Sequence, residues 1–258
     1  MKTYPKISII TPSLNQGQFI EKTILSILSQ SYPNLEYFIV DGGSTDDTLK
    51  ILEKYTDRLT WFSEPDRGQT DAINKGLRRA TGDIVAYLNS DDILLPNTLL
   101  EVGAIFAARP QSIWVTGQCL IIDENDREVR RFITTYKNIL LRLRSFSLLL
   151  ITDYISQPAT FWRRNIIEEI GMPNENLHYV MDYDFWLRLY SKYPPIFIPK
   201  YLASFRVHKA SKTTTNYKNV FVDEEQVVIQ NHTRSFWLKY LHHAHRALIN
   251  FAYSILNR

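Results

Sequence analysis

The feature that most restricts this chain is the regular alternation of its first 110 residues. "KISIITPS" reads as a buried, Ile-rich strand, and a helix over roughly 19–30 places Ile20, Ile24, Ile27 and Leu28 on one face. "EYFIVDGG" is a second strand ending at Asp41. "STDDTLKILEKY" predicts a helix that Ser44 or Thr45 can cap, with Leu49 and Leu52 facing inward. "RLTWFSEP" is a third strand, Gly68 to Ala80 a third helix, "GDIVAYL" a fourth strand, and a fourth helix starts near Pro96. Strand and helix in turn predict an α/β fold, a mostly parallel sheet with helices on its faces. Ligands of such sheets sit at the carboxyl ends of the strands. Four polar clusters fall there: Thr11-Pro12-Ser13, Asp41-Gly42-Gly43, Glu64-Pro65-Asp66 and Asn89-Ser90-Asp91-Asp92.

The second half is less regular. "IWVTGQCLIID" predicts a strand, "YKNILLRLRSFSLLLI" a helix or a flap, "ISQPATFWRR" extended chain and "RNIIEEIG" a short helix closed by Gly171. "MDYDFWLRLYSKY" predicts a strong helix, "PIFIPKYLASFRVH" a strand, and the pattern from about Val220 onward is helical. At 258 residues, 45% hydrophobic and 22% charged, the chain has the size and balance of a globular domain with an appendage. The single cysteine, Cys119, excludes an internal disulfide and a cysteine-rich metal site. The apolar stretch near the N-terminus is too short for a signal peptide and is broken by Pro12. No apolar run is long enough to span a membrane. Charge is uneven: from Lys200 to Arg258 there are nine Lys/Arg against three Asp/Glu. A basic tail suits an anionic membrane or a phosphorylated substrate; a solvated basic surface explains it equally well.

Adjacent carboxylates at a strand end repel each other and are costly to desolvate, so Asp91 and Asp92 suggest a cation. Mg²⁺ and Mn²⁺ take few protein carboxylates and complete their shells with phosphate and water. The plainer reading is that one of the two caps the following helix. Asp41 could accept from a nucleobase, or belong to an ordinary turn capped by Ser44. The chain contains neither G-x-G-x-x-G nor a P-loop. Arg67 could reach a diphosphate, and the helix opening near Gly68 offers backbone donors to an anion. Asp182 and Asp184, two residues apart at a helix start, point in different directions: one can face a cleft while the other serves the helix. In a loop with Arg206, Ser211 and Lys212, His208 could ligate a metal or touch phosphate, although a lone loop histidine is more often merely solvated. His242, His243 and His245 read as surface residues.

Together, "SIITPSLNQ", "VDGGSTDDT", "EPDRGQTDAINKG", "YLNSDDILLP" and "MDYDFWLRL" resemble family 2 glycosyltransferases, the inverting enzymes of the GT-A fold. The closest likeness is to bacterial enzymes that build surface polysaccharides. The resemblance spans roughly residues 6–213. It implies a GT-A catalytic domain over 1–215, with a Rossmann-like nucleotide-sugar-binding half at 1–110, an acceptor half at 111–215, and a helical C-terminal extension at 216–258. Carried over residue by residue, Thr11, Pro12 and Ser13 would border the nucleotide and Asp41 would contact the base. Asp66, Arg67 and Gly68 would lie near ribose or base. Asn89-Ser90-Asp91 would stand for the family's D-x-D, with Asp91 as ligand to Mg²⁺ or Mn²⁺, and His208 would lie near metal or pyrophosphate. Asp182 would be the general base. The sequence departs from the family pattern at Asn89, which replaces an acid of D-x-D, and at Met181, which replaces the acid that often precedes the base.

The resemblance further implies a nucleotide-sugar donor, a glycan or lipid-linked acceptor and no nucleic-acid partner. The expected location is cytoplasmic, with the Tyr136–Ile151 stretch and the basic tail able to meet the inner face of the membrane. Two other functions share the sheet: a sugar-phosphate nucleotidyltransferase, and a nucleotide-sugar-binding protein without turnover. The first usually carries a glycine- and basic-rich loop after the first strand, which "TPSLNQGQF" lacks.

Overall fold

A computed structural model of the chain describes residues 4–209, 211 and 217–256. In chain order the elements are β1 (Ile7–Ser13), α1 (Ile20–Leu28), β2 (Leu35–Asp41), α2 (Thr48–Glu53), β3 (Thr60–Ser63), α3 (Gln69–Arg79), β4 (Ile84–Tyr87), β5 (Ile93–Leu94), α4 (Thr98–Ala108), β6 (Trp114–Ile122), α5 (Arg131–Leu143), α6 (Phe146–Ile151), β7 (Thr160–Arg163), α7 (Ile167–Ile170), α8 (Met181–Lys192), β8 (Ile196–Arg206), α9 (Tyr217–His232) and α10 (Phe236–Leu256). Lys212 and the expected 215/216 domain boundary lie outside the described residues.

One sheet runs in the order β3-β2-β1-β4-β7-β6-β8-β5. The β1–β2, β1–β4, β2–β3 and β6–β8 pairings are parallel, and those of β4–β7, β6–β7 and β5–β8 antiparallel. Every residue of β1 is buried, as a strand covered on both faces must be. Gly76 of α3 lets that helix close onto β1: a Cβ there would collide with Ile10. Register aligns Ser13 with Asp41 and Asp41 with Ser63, so the carboxyl ends of β1, β2 and β3 share one edge. The second half is anchored by tryptophans: Trp114 of β6 stacks on Trp186 of α8 at 5.8 Å, and Trp162 of β7 meets Trp186 edge-on at 5.6 Å. Those contacts fix the N-terminus of α8, and with it Asp182, against the sheet.

Three expectations need correction. Neither Ser44 nor Thr45 caps α2, which begins later, with Asp47 at its N-cap; Ser44 is held instead by the Asp41 carboxylate. The Tyr136–Ile151 stretch is two helices, broken where Arg144 takes a left-handed φ of 50°. His242 is buried, not a surface residue. Its Nδ1 lies 3.1 Å from the Ile151 carbonyl, and His245 Nε2 lies 2.7 Å from the Tyr136 hydroxyl. The tail helix thus docks on α5 and α6. Among the described residues no helix is long and apolar enough to cross a membrane.

Candidate active site

The two carboxylates after β4 serve different ends. Asp92 is fully buried and accepts the Arg206 backbone N–H at 2.9 Å and the Asn89 side-chain amide at 3.2 Å. Burial, then the charge of Asp91, pushes its pKa well above the ordinary carboxylate range, against the opposing pull of those two donors. Asp91 turns the other way, with Oδ2 3.1 Å from His208 Nε2. Neither acid caps α4, whose N-cap is Asn97. The buried Arg206 guanidinium holds the turn from behind: Nε donates to the Asp91 carbonyl at 2.7 Å, while Nη1 bonds the Asp123 carbonyl and pairs with Asp126 at 2.6 Å. Phe19 packs between Arg206 and His208, its ring centroid 5.2 Å from the guanidinium and 4.5 Å from the imidazole. Thr23 Oγ1 donates to the carbonyls of Ser90 and Asp92.

Asp91 and His208 therefore converge although they are 117 residues apart. No group of three His, Cys, Asp or Glu able to hold a metal occurs among the described residues. One carboxylate and one imidazole suit a divalent ion that takes its other ligands from diphosphate and water. The nitrogen donor favours Mn²⁺ over the more strictly oxygen-seeking Mg²⁺.

The neighbouring strand ends form a compact cradle. Asp41 is fully buried, and its carboxylate accepts the N–H groups of Gly43 and Ser44 and the hydroxyls of Ser44 and Ser63 at 2.5–3.0 Å. It organises the turn. The Asp66 carboxylate lies against Gly42, where a Cβ would collide with it, and accepts the Gly68 N–H at 2.8 Å. Gly68 has φ 118°, a conformation glycine adopts without strain, and opens α3. Pro12 and Ser13 are buried beside this turn. The Ser13 hydroxyl has no hydrogen-bond partner among the described residues, and its carbonyl accepts the Gly42 N–H. Thr11 points into the core onto the Tyr37 hydroxyl at 3.1 Å. Arg67 is drawn aside, to Glu175 at 2.5 Å and Asp71 at 3.4 Å, along a groove of about 580 Å³ shared with Arg78 and His178. Asn89 is braced by Gln69, whose amide donates to it at 2.6 Å.

At the start of α8 the two acids part as their spacing suggested. Asp184 is taken by Arg188 and His232, both at 2.9 Å; burial works to raise its pKa, but the hydrogen bond from His232 and the charge of Arg188 hold it below the usual carboxylate range. Asp182 Oδ1 accepts the N–H of its neighbour Tyr183 at 2.8 Å. The buried Tyr87 phenol, at the end of β4, is pushed well above its ordinary pKa by burial and by the charges of Asp182, Asp153 and Asp92.

Sequence reasoning missed Asp153. Burial raises it to about 7; Lys137 opposes that shift and Asp182 adds to it. Its Oδ1 accepts the Ile155 N–H at 3.1 Å. A lone acid in "LITDYIS" has no local signature, because distant elements create its surroundings. The C-terminal helices were also undervalued. The Glu224 carboxylate of α9 accepts the backbone N–H groups of His178 and Tyr179, just before α8, at 2.8 and 2.7 Å.

With this geometry in view, comparison identifies the class. The glycosyl transferase family 2 profile matches residues 8–171, and the chain belongs to that family. A PGL/p-HBAD biosynthesis glycosyltransferase of Mycobacterium bovis is 31% identical over 203 residues, covering 77% of this chain and 74% of the relative. Two uncharacterised glycosyltransferases, of Rickettsia typhi and Rickettsia conorii, are 27% and 28% identical and cover 82% of this chain. The aligned part is 67% of the first and 36% of the second. Among solved structures, a mannosyltransferase of Pyrobaculum calidifontis in complex with GDP-Man and Mn²⁺ superposes with a TM-score of 0.69 at 21% identity, over 94% of this chain and 69% of that one. Staphylococcus aureus TarS 1-349 in complex with UDP-GlcNAc superposes with a TM-score of 0.66 at 20% identity, over 91% and 69%. These structures share the GT-A fold seen here.

Proposed function

We propose that this chain is an inverting transferase that moves a sugar from a nucleoside-diphosphate donor to an acceptor hydroxyl, in the building of a surface glycan or glycolipid. The observation that carries the reading is the convergence of Asp91, after the end of β4, with His208 at 3.1 Å, in a chain of glycosyl transferase family 2. The donor half, 1–110, would seat the nucleotide among Pro12, Ser13, Asp41, Asp66, Gly68, Asn89 and Ser90. Thr11 and Arg67 would support that wall from the core and the rim. The acceptor half, 111–215, would bring the hydroxyl to Asp182, braced from behind by α9 and α10.

In this scheme Asp182 removes the acceptor proton as general base. The freed oxygen attacks the anomeric carbon on the face opposite the leaving diphosphate, so configuration inverts in one displacement. Asp91 and His208 would hold Mn²⁺ or Mg²⁺, which when bound offsets the charge developing on the diphosphate. Arg206 and Phe19 keep Asp91 and His208 oriented, and Asp92 closes the turn behind them. The mycobacterial relatives named for PGL/p-HBAD biosynthesis support a role in building a cell-surface glycan.

A panel of UDP- and GDP-sugars tests the reading by thermal shift and sugar release, each with MnCl2, MgCl2 or EDTA. The expected result is one donor class that raises the melting temperature in a metal-dependent way and is consumed. Full turnover in EDTA would overturn the metal assignment, and no shift with any donor would overturn the reading itself.

A further inference from the structure

Two helices leave an apolar face uncovered. On α5, Phe132, Ile139 and Leu143 are exposed. On α10, Phe236 and Trp237 are 72% and 71% exposed, and Tyr240, Leu241 and Leu248 continue the stripe. The stripes meet. Tyr136 of α5 and His245 of α10 stack with ring centroids 5.9 Å apart and share a hydrogen bond of 2.7 Å. Phe132 and Ile139 stand four before and three after Tyr136, and Leu241 and Leu248 stand four before and three after His245. Those spacings put each pair on the same helix face as the contact that joins them.

Charge selects the occupant. Residues 130–152 contain five Arg/Lys and no acid, and residues 226–258 contain four and no acid. Arg131 and Arg246 are engaged by Glu128 and Glu225, while Arg142 and Arg234 are exposed beside the stripes. A second copy docking through this face would set one basic rim against another. Aromatic and aliphatic side chains bordered by basic groups match an anionic bilayer surface, where Trp and Tyr settle at headgroup level.

We propose that the joined α5–α10 face lies on an anionic lipid bilayer, with α10 in the interfacial plane and Trp237 and Tyr240 among the headgroups. Docking there is independent of the reaction. Its consequence for the reaction rests on the proposed function: α10 grips the Ile151 carbonyl, two residues before Asp153, so the acceptor side of the site is tied to the membrane-facing helix. A lipid-linked acceptor then meets Asp182 without leaving the bilayer.

The test uses the full chain with vesicles of phosphatidylcholine alone or mixed with phosphatidylglycerol, at low and high salt. Co-sedimentation is read beside quenching of tryptophan fluorescence by brominated lipid. Trp114, Trp162 and Trp186 are buried and Trp61 is partly buried, so the quenching due to Trp237 is the part lost in the Trp237→Glu variant. The expected result is binding about ten-fold tighter to the anionic vesicles, weakened by salt, with Trp237 quenched. Trp237→Glu with Leu241→Glu should abolish binding while the melting temperature and donor-induced shift persist. Arg142→Gln with Arg234→Gln should weaken it while leaving the apolar face intact, which keeps the test valid if the glutamates disturb folding. No binding to anionic vesicles at low salt would overturn the proposal. So would a dimer by light scattering that the glutamate pair converts to monomer, since the face would then belong to a second copy.

Discussion

Asp41 on the donor side and Asp153 on the acceptor side are carboxylates held in opposite ways. On the donor side, four hydrogen-bond donors surround Asp41, a backbone N–H holds Asp66, and Gln69 braces Asn89. On the acceptor side, Asp153 and Asp182 act on each other's charge. Unpartnered buried polar atoms occur on both sides among the described residues, including the Ser13 and Tyr87 hydroxyls in the donor half and Gln157 Oε1 in the acceptor half. The donor wall is built before any ligand arrives, which suits a rigid diphosphate. The acceptor wall stores electrostatic tension, which suits a place where a proton changes hands.

Substitutions can break this contrast from either side. Asp91→Asn has the largest expected effect, because it strikes nucleotide affinity and leaving-group departure together. Its kcat/KM should fall by about 10³-fold, and Mn²⁺ should no longer sharpen nucleotide binding in a titration. Asp41→Asn should cost about 3 kcal/mol in denaturant unfolding, since donors that met a buried carboxylate would face an amide. Gly42→Ala should raise the donor KM about ten-fold with a smaller change in kcat, because the new methyl displaces the Asp66 carboxylate.

Asp153→Asn should have the smallest effect and the most informative one. Asp153 titrates near 7 when folded and near 4 when unfolded, so between those values the folded chain holds a proton the unfolded chain has lost. Wild-type stability should therefore fall as pH rises from about 4 to about 7, and the variant should lose that part of the slope. Thermal unfolding across this range checks the sign. The variant's kcat/KM should change only a few-fold near neutrality, with a flatter pH profile.

What was legible in the sequence follows the same divide. Alternating apolar runs revealed β1 to β4 and their helices, because both periods are local. The strand-end clusters then lay on one edge because parallel strands share direction. The Asp182–Asp184 spacing did not foretell that Asp184 would be held by Arg188 and His232. Asp153 and His242 were illegible, since burial by residues far away in the chain makes them what they are. The insertion of β7 between β4 and β6, and the two-residue β5, likewise depend on tertiary pairing that no local period encodes. Ser44 misled for a simpler reason: it has the chemistry of a helix cap, but the Asp41 carboxylate claims it first.

The division of labour is tested most directly in Asp182→Asn, by measuring donor binding and sugar transfer on one preparation with MnCl2. Affinity for the donor should stay within about two-fold of wild type while transfer drops by at least about 10²-fold, as removal of a general base requires. Transfer within a few-fold of wild type at unchanged affinity would contradict the account and assign the proton to another group.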